Sequence, residues 1–138
     1  MNSNLLRSIA ALALTCVIAA SAHGASDKPP FSYSYVTISY DCGRKHVVVM
    51  SQVFGVCYQE TNHASVARDQ RYTYDRVASA VCGGNAGSGS QLTSYPYDGP
   101  VGESSANRDR NKDVSEYVRG GYDVNYAYLQ TPYSSKCR

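Results

Sequence analysis

The chain has no tryptophan, only two phenylalanines and only three histidines among its 138 residues. No histidine occurs after His63, so the second half of the chain lacks the side chain whose ordinary pKa suits proton transfer near neutral pH. The sequence also contains no Gly-x-Ser-x-Gly, no His-Glu-x-x-His and no phosphate-binding glycine loop. These absences argue against the hydrolases, metalloproteases and nucleotide-binding proteins that such motifs define.

Long apolar runs are also scarce, and the run at positions 9–20 is too short to span a bilayer. It follows Arg7 and precedes the small residues Ala20-Ser21-Ala22, the order typical of a secretory signal peptide. Cleavage is expected after Ala22 or Gly24. We therefore expect a signal peptide at 1–22 and a secreted protein, extracellular or, in a diderm bacterium, periplasmic, with no membrane span after signal removal.

Removal of residues 1–22 leaves a chain of the size of one domain. We expect a flexible leader at 23–30 and a single disulfide-stapled domain at 31–138. Arg7 leaves with the signal, so 12 basic residues face 11 acidic ones. A net charge of about +1 argues neither for nor against a polyanionic partner.

Four cysteines remain after Cys16 is removed, an even number that in an exported small domain predicts two disulfides. Their spacing includes no Cys-x-x-Cys, so neither a metal site nor a cofactor is expected. Four cysteines allow three pairings. We favour the two pairs Cys42–Cys137, which ties down the chain end, and Cys57–Cys82, which ties a helix to a strand.

The periodicity of the chain predicts an α+β fold, an antiparallel β-sheet packed with one main α-helix. Alternation of side chains predicts a strand over 31–40 and another over 122–130. The runs 46–50 and 53–58 are also predicted to be extended. They form either two strands joined at Ser51-Gln52 by a turn or a bulge, or one long strand. A polar stretch at 104–113 is predicted to be a solvated loop because its charges cancel. Tyr117 to Arg119 is predicted to pair with the last strand across Gly120-Gly121.

The main helix is predicted over Tyr74 to Cys82, because apolar positions recur at helical spacing. Thr73 is the predicted N-cap, and Gly83-Gly84 is the predicted stop. The segment 64–70 either extends this helix backward or forms a separate turn.

Tyrosine is unusually abundant, with 13 copies. Tyrosine is a strong strand former, so the rings could simply fill the interior of a sheet. Tyrosine and arginine also suit contact surfaces, because they supply a large area or several donors. The functional interpretation predicts a binding surface formed by Tyr95, Tyr97, Arg119, Tyr126 and Tyr128.

The two histidines that remain after export, His46 and His63, are the alternative catalytic candidates. Two histidines that meet could cleave a phosphodiester by general acid–base catalysis. Nothing in their spacing indicates that they meet, so no catalytic residue is assigned.

Three short motifs resemble those of one family. They are Tyr40-Asp41-Cys42, the helical segment 72–80 and Ser94-Tyr95-Pro96, with a near-terminal Cys137. In these the chain resembles the secreted fungal ribonucleases of the guanyl-specific type and their non-catalytic relatives, the ribonuclease-like effectors of plant-pathogenic fungi. The resemblance implies a sheet packed on a single helix.

The chain departs from this family where catalysis is concerned. Tyr97 stands where catalytic members have a histidine after Tyr-Pro, and their second histidine near the C-terminus is missing. The resemblance therefore implies a non-enzymatic effector that binds a host protein or RNA. The exported chain is expected to be a monomer. The alternatives are an exported bacterial inhibitor or immunity-type protein and a small secreted ribonuclease or hydrolase.

Overall fold

The computed structural model describes residues 31–57, 62–84 and 86–130, which form a mixed α+β fold. Within these ranges the chain contributes seven strands and three helices. The predicted signal peptide, the leader and Cys137 lie outside the described residues. The α+β class that the sequence predicts is confirmed for the described residues.

The first four strands form one long antiparallel hairpin with a bulge in its middle. They are β1 (Phe31–Ser34), β2 (Val36–Asp41), β3 (His46–Ser51) and β4 (Phe54–Cys57). The registers Ser34↔Phe54 and Thr37↔Met50 leave Tyr35 opposite both Gln52 and Val53. Two residues facing one define a β-bulge. Of the alternatives for Ser51-Gln52, the structure shows the bulge.

The bulge divides the hairpin between two small sheets, each completed by later strands. These are β5 (Ser90–Thr93), β6 (Tyr97–Asp98) and β7 (Asp123–Ala127). One sheet has the order β4-β1-β6 and the other β5-β2-β3-β7. The expectation of an entirely antiparallel sheet is wrong, because β7 runs parallel to β3. A helix crosses the sheet before β7, so the chain re-enters in the direction of β3.

Two helices cover one face of the sheets. They are α1 (His63–Asp69) and α2 (Arg71–Cys82), with Gln70 between them. The segment 64–70 neither extends the main helix nor forms a turn, because residues up to Asp69 form a separate helix. The helix predicted over Tyr74 to Cys82 is confirmed, and Gly83 ends it with a left-handed φ of 73°. Thr73 as N-cap is wrong, because the N-cap is Gln70 and Thr73 is buried inside the helix.

The third helix, α3 (Gly102–Arg119), is the longest and was not predicted. Both the solvated loop at 104–113 and the strand at Tyr117–Arg119 are therefore wrong, and so is the expectation of one main helix. Gly120-Gly121 joins α3 to β7 instead of closing a hairpin. The charges that cancel along the sequence lie at helical spacing, and the pair Lys112–Glu116 is four residues apart.

The main core lies between the sheets and the α1–α2 layer. Val47 and Val49 of β3 point into it, whereas the equally buried Val48 and Met50 point to the opposite face, toward α3. Both faces of β3 are thus covered. The buried members of this core are Val36, Ile38, Tyr40, Val47, Val49, Phe54, Val56, Val66, Ala67, Tyr74, Ala78, Ala127 and Leu129.

The cysteine pairing differs from the prediction. Cys42 is bonded to Cys82, with their Cα atoms 5.3 Å apart. Both predicted pairs are wrong, because each used one of these two cysteines. The C-terminal end of α2 lies at the turn of the hairpin, whereas Cys57 lies at the far end of the same hairpin. The bond therefore ties the last turn of α2 to the β2–β3 turn.

Candidate binding surface

Helix α3 lies on the sheets through polar contacts instead of an apolar stripe. Its buried residues are only Gly102 and Ala106. A Cβ on Gly102 would lie 2.7 Å from the carbonyl oxygen of Tyr97, so the absence of a side chain lets the helix approach β6 closely. Only small residues of α3 are buried against the sheets. The rest of the helix is therefore attached through longer polar side chains.

Three tyrosines on the sheets meet charged residues on α3. The hydroxyl of Tyr97 donates to the carboxylate of Asp109. The hydroxyl of Tyr35 donates to Asp113 Oδ2 at 2.6 Å. The guanidinium of Arg110 lies 4.8 Å from the ring centre of Tyr126.

A fourth contact places α3 against the bulge. Arg110 Nε donates to the carbonyl oxygen of Ser51 at 2.7 Å. The bulge thus supplies an acceptor for α3, and α3 spans both sheets. Asp109, Arg110 and Asp113 were not predicted as positioning residues, because their charges cancel in a segment predicted to be a loop. The signal that could have found them is helical spacing, since Ala106 and these three residues stand at i, i+3, i+4 and i+7.

The predicted binding residues fall into two tyrosine groups on the α3 side of the molecule. Tyr95 is 80% exposed and meets Tyr97 edge-to-face, with ring centres 6.3 Å apart. Tyr126 and Tyr128 are 42% and 76% exposed and alternate with the core residues Ala127 and Leu129. These four tyrosines, Tyr95, Tyr97, Tyr126 and Tyr128, are called the tyrosine face below.

Helix α3 positions two members of this face and separates the fifth predicted residue from it. Tyr97 contacts Asp109 and Tyr126 contacts the next residue, Arg110. Arg119 is exposed in the last turn of α3. It lies ten residues beyond Asp109, about 15 Å along a helix axis, so the structure does not bring Arg119 together with Tyr97.

A cavity of about 310 Å³ lies where α3 ends and β7 begins. It is lined by Asp113, Glu116, Tyr117 and Tyr122 and is called the acidic pocket below. Its two rings meet edge-to-face with centres 5.4 Å apart. The ring of His46 also lies close to that of Tyr122, with 5.7 Å between the ring centres.

Tyr35 and Tyr117 both lie close to the carboxylate of Asp113. Burial, the hydrogen bond to Asp113 and the charge of Asp113 all raise the pKa of Tyr35 well above its usual range. Burial and the charge of Asp113 also raise the pKa of Tyr117. Both tyrosines therefore remain neutral hydroxyls at physiological pH, and the negative charge stays on the carboxylates.

A second cavity, of about 380 Å³, lies between α2 and the chain before β5. On its wall Asp75 Oδ1 accepts from the hydroxyl of Tyr40 at 2.7 Å and from Arg71 Nε at 3.0 Å. Arg71 also donates to the carbonyl oxygen of Gly89 at 2.9 Å. These groups satisfy one another and join α2 to β2 and to the chain before β5, a structural role. Burial, followed by the hydrogen bond to Asp75, raises the pKa of Tyr40.

The two histidines lie at opposite ends of the long hairpin. His46 is exposed at the start of β3, whereas His63 is buried at the start of α1. His63 Nε2 donates to the carbonyl oxygens of Ser32, at 3.2 Å, and Phe54, at 3.1 Å. Residue 54 is eight residues along the strands from His46, roughly 25 Å at strand rise, so the histidines do not meet. Burial lowers the pKa of His63.

The chain matches no protein-family model, no curated protein and no solved structure. Across residues 31–57, 62–84 and 86–130 no three His, Cys, Asp or Glu side chains are grouped as metal ligands would be. No helix in that same part of the chain is long and apolar enough to cross a membrane.

Proposed function

We propose that the chain is an exported, non-enzymatic binding protein that recognises another protein through the tyrosine face. The observation that supports this proposal is that α3 anchors two tyrosines next to two exposed ones. Tyr97 and Tyr126 are held by neighbouring residues of one helix. Tyr95 and Tyr128, which are 80% and 76% exposed, lie beside them. Anchored aromatic rings lose little conformational freedom on binding, which is why tyrosine is enriched in contact surfaces.

A protein partner is favoured over RNA by the charges of α3. The helix carries four basic residues and four acidic ones, so its net charge is zero. Most binding to nucleic acid depends on neutralising phosphates with an excess of lysine and arginine. The tyrosine face is beside a helix without that excess.

The separation of the histidines supports a function without turnover. A general acid–base pair must act on one substrate within hydrogen-bond reach, and His46 and His63 are held apart by the hairpin. His63 also uses Nε2 to join α1 to β1 and β4, which is a structural role.

The kind of binding protein stays a prediction. A ribonuclease-like effector that binds a host protein is one form of the proposal, and an exported bacterial inhibitor or immunity-type protein is the other. The resemblance implies a single helix, whereas three helices pack on the sheets described here.

The test compares variants of the tyrosine face with a matched control on the other side of the molecule. Purified mature chain, residues 23–138, is used to capture partners from extracellular fluid of the source organism and its host, and the captured proteins are identified. The variant Tyr95→Ala/Tyr128→Ala should lose a partner that Tyr72→Ala keeps. Tyr72 is 62% exposed on α2, so both variants remove exposed rings.

Three outcomes would contradict the proposal. The first is a partner that both variants retain or both lose. The second is RNA cleavage by the wild-type chain that disappears in His46→Ala. The third is tighter binding of the wild-type chain to a single-stranded RNA than to any captured protein, which would replace the protein partner with RNA.

We also propose a second disulfide, between Cys57 and Cys137. Cys42 and Cys82 are bonded to each other. Cys57 and Cys137 are the other two cysteines of the exported chain. Cys57 is buried at the end of β4. Non-reducing peptide mapping should recover a 57–137 peptide pair, and a free thiol at either position would contradict the proposal.

A further inference from the structure

We propose that the acidic pocket binds an alkylammonium group, carried by a lysine side chain of the partner protein. The inference deepens the proposed function and rests on it for the identity of the partner. The pocket and the tyrosine face both lie along α3, so a protein that covers one can reach the other.

Two kinds of group that attract cations line this cavity. Asp113 and Glu116 supply carboxylates, and Tyr117 and Tyr122 supply aromatic rings. Ring faces attract ammonium groups, and the attraction grows as water is excluded. Residues 116 and 117 also lie in the last turn of α3, where the negative end of the helix dipole favours positive charge.

The size of the cavity fits a lysine chain. Its volume of about 310 Å³ would hold about ten waters at ~30 Å³ each, which is ample for a four-carbon chain with its ammonium. A guanidinium would also fit, but an ammonium is a compact point charge with three donors. Asp113 and Glu116, three residues apart on α3, supply two carboxylates that can accept from those donors.

The chain already holds an ammonium near this site. Lys112 Nζ lies 3.8 Å from Glu116 Oε1, and both side chains are more than half exposed. Exposed pairs of this kind contribute little, so an incoming ammonium can displace Lys112. Asp113 Oδ2 accepts from Tyr35, which fixes the direction of that carboxylate without removing its charge.

The experiment titrates the full mature chain with n-butylammonium, a mimic of the lysine side chain, and follows backbone amide shifts by NMR. Saturable shifts are expected at residues 113–122. The neutral analogue 1-butanol should give no saturable shift there. Glu116→Gln should weaken binding at least fivefold. Glu103→Gln, an equal change of charge in the first turn of α3, should leave it unchanged.

A second variant separates loss of binding from loss of folding. Tyr122→Leu should weaken binding, while its amide spectrum outside residues 113–122 stays that of the wild-type chain. Equal shifts with 1-butanol, or equal weakening by Glu103→Gln and Glu116→Gln, would overturn the proposal. Butylguanidinium binding tighter than butylammonium would replace lysine with arginine and overturn the stated ligand.

The outcome is distinguishable from that of the proposed function. Butylammonium binding that persists in Tyr95→Ala/Tyr128→Ala supports the pocket, whatever that variant does to partner capture. If a partner is captured, the lysine with which it contacts this chain can be replaced by glutamine. That change in the partner should weaken its capture by the wild-type chain but not its capture by the Glu116→Gln variant. Equal weakening of capture by the two chains would overturn the assignment of that lysine to the acidic pocket.

Discussion

Replacing Tyr35 by phenylalanine tests whether tyrosine–aspartate hydrogen bonds hold α3 on the sheets. Tyr35 is almost completely buried, and its hydroxyl reaches Asp113 across 78 positions of sequence. Phenylalanine keeps the ring and its packing. The variant therefore removes one hydrogen bond and little else.

The expected loss can be worked from the contact. A hydrogen bond to a charged group contributes about 1.5 to 3 kcal/mol. Asp113 is half-buried, so water can replace part of the bond, and we expect about 1.5 kcal/mol. For a domain of this size each kcal/mol shifts Tm by about 4 °C, which gives a decrease of about 6 °C.

The assay is urea unfolding at pH 7, followed by circular dichroism, with Tyr72→Phe as the control. Tyr72 is largely exposed, and its variant should change the free energy of unfolding by less than about 0.5 kcal/mol. A double-mutant cycle with Asp113→Ala should then give a coupling energy of about 1 kcal/mol or more.

The same variant makes a prediction at alkaline pH. The pKa of Tyr35 is raised by folding, so its contribution is fully present below pH 10, the pKa of an unfolded tyrosine. As pH rises above 10 the unfolded state loses this proton first, and stability falls by about 1.4 kcal/mol per pH unit for each such group. The plot of unfolding free energy against pH should be shallower by that amount in Tyr35→Phe.

Either of two results would refute this reasoning. The first is a coupling energy below about 0.3 kcal/mol between Tyr35 and Asp113. The second is an alkaline slope that is the same in the wild-type chain and in Tyr35→Phe. Each of these results would mean that α3 is held on the sheets by contacts other than this hydrogen bond.

Three further predictions follow from other contacts. Burial lowers the pKa of His63, so stability should fall as pH drops below the unfolded value of about 6.5, and acid titration of His63→Gln should show a shallower fall. Removing the 42–82 disulfide by the double change Cys42→Ala/Cys82→Ala should lower the free energy of unfolding by about 4 kcal/mol in the chain-entropy model for a loop of this length. Urea unfolding should show a lower midpoint, and an unchanged midpoint would show that the bond does not stabilise the fold. Gly102→Ala should lower Tm although alanine favours helices by about 1 kcal/mol, because its Cβ would lie 2.7 Å from a carbonyl oxygen; a higher Tm would mean that the helix shifts freely.

The sequence determined those elements whose cause is local. Alternating side chains predicted one strand over 31–40, which the structure divides into β1 and β2 at Tyr35, and also predicted the last strand. Two β-branched runs predicted β3 and β4. Apolar spacing with two glycines predicted the helix that ends at Cys82. These patterns work because the period of a strand or helix is written into residues a few positions apart. The mixed α+β class follows from the same patterns.

The candidate site was only partly predictable. The residues of the tyrosine face were predicted from residue type, since tyrosine suits both strands and contact surfaces. Arg119 was grouped with them although α3 carries it away from Tyr97. The acidic pocket was not predicted, because Asp113 and Glu116 join Tyr122 only after α3 forms and the chain turns at Gly120-Gly121.

Only the tertiary structure decided how distant segments pair. Helix α3 has almost no apolar stripe, so the periodicity that predicts a helix is weak there. Its attachment to the sheets depends on hydrogen bonds from Tyr35 and Tyr97 to carboxylates of α3. Those bonds can form only once the segment is helical. Cys42 likewise met Cys82 because α2 packs with its last turn at the hairpin turn. Neither pairing has a counterpart in local periodicity, since hydrogen bonds and disulfides between remote residues depend on how the elements pack in space.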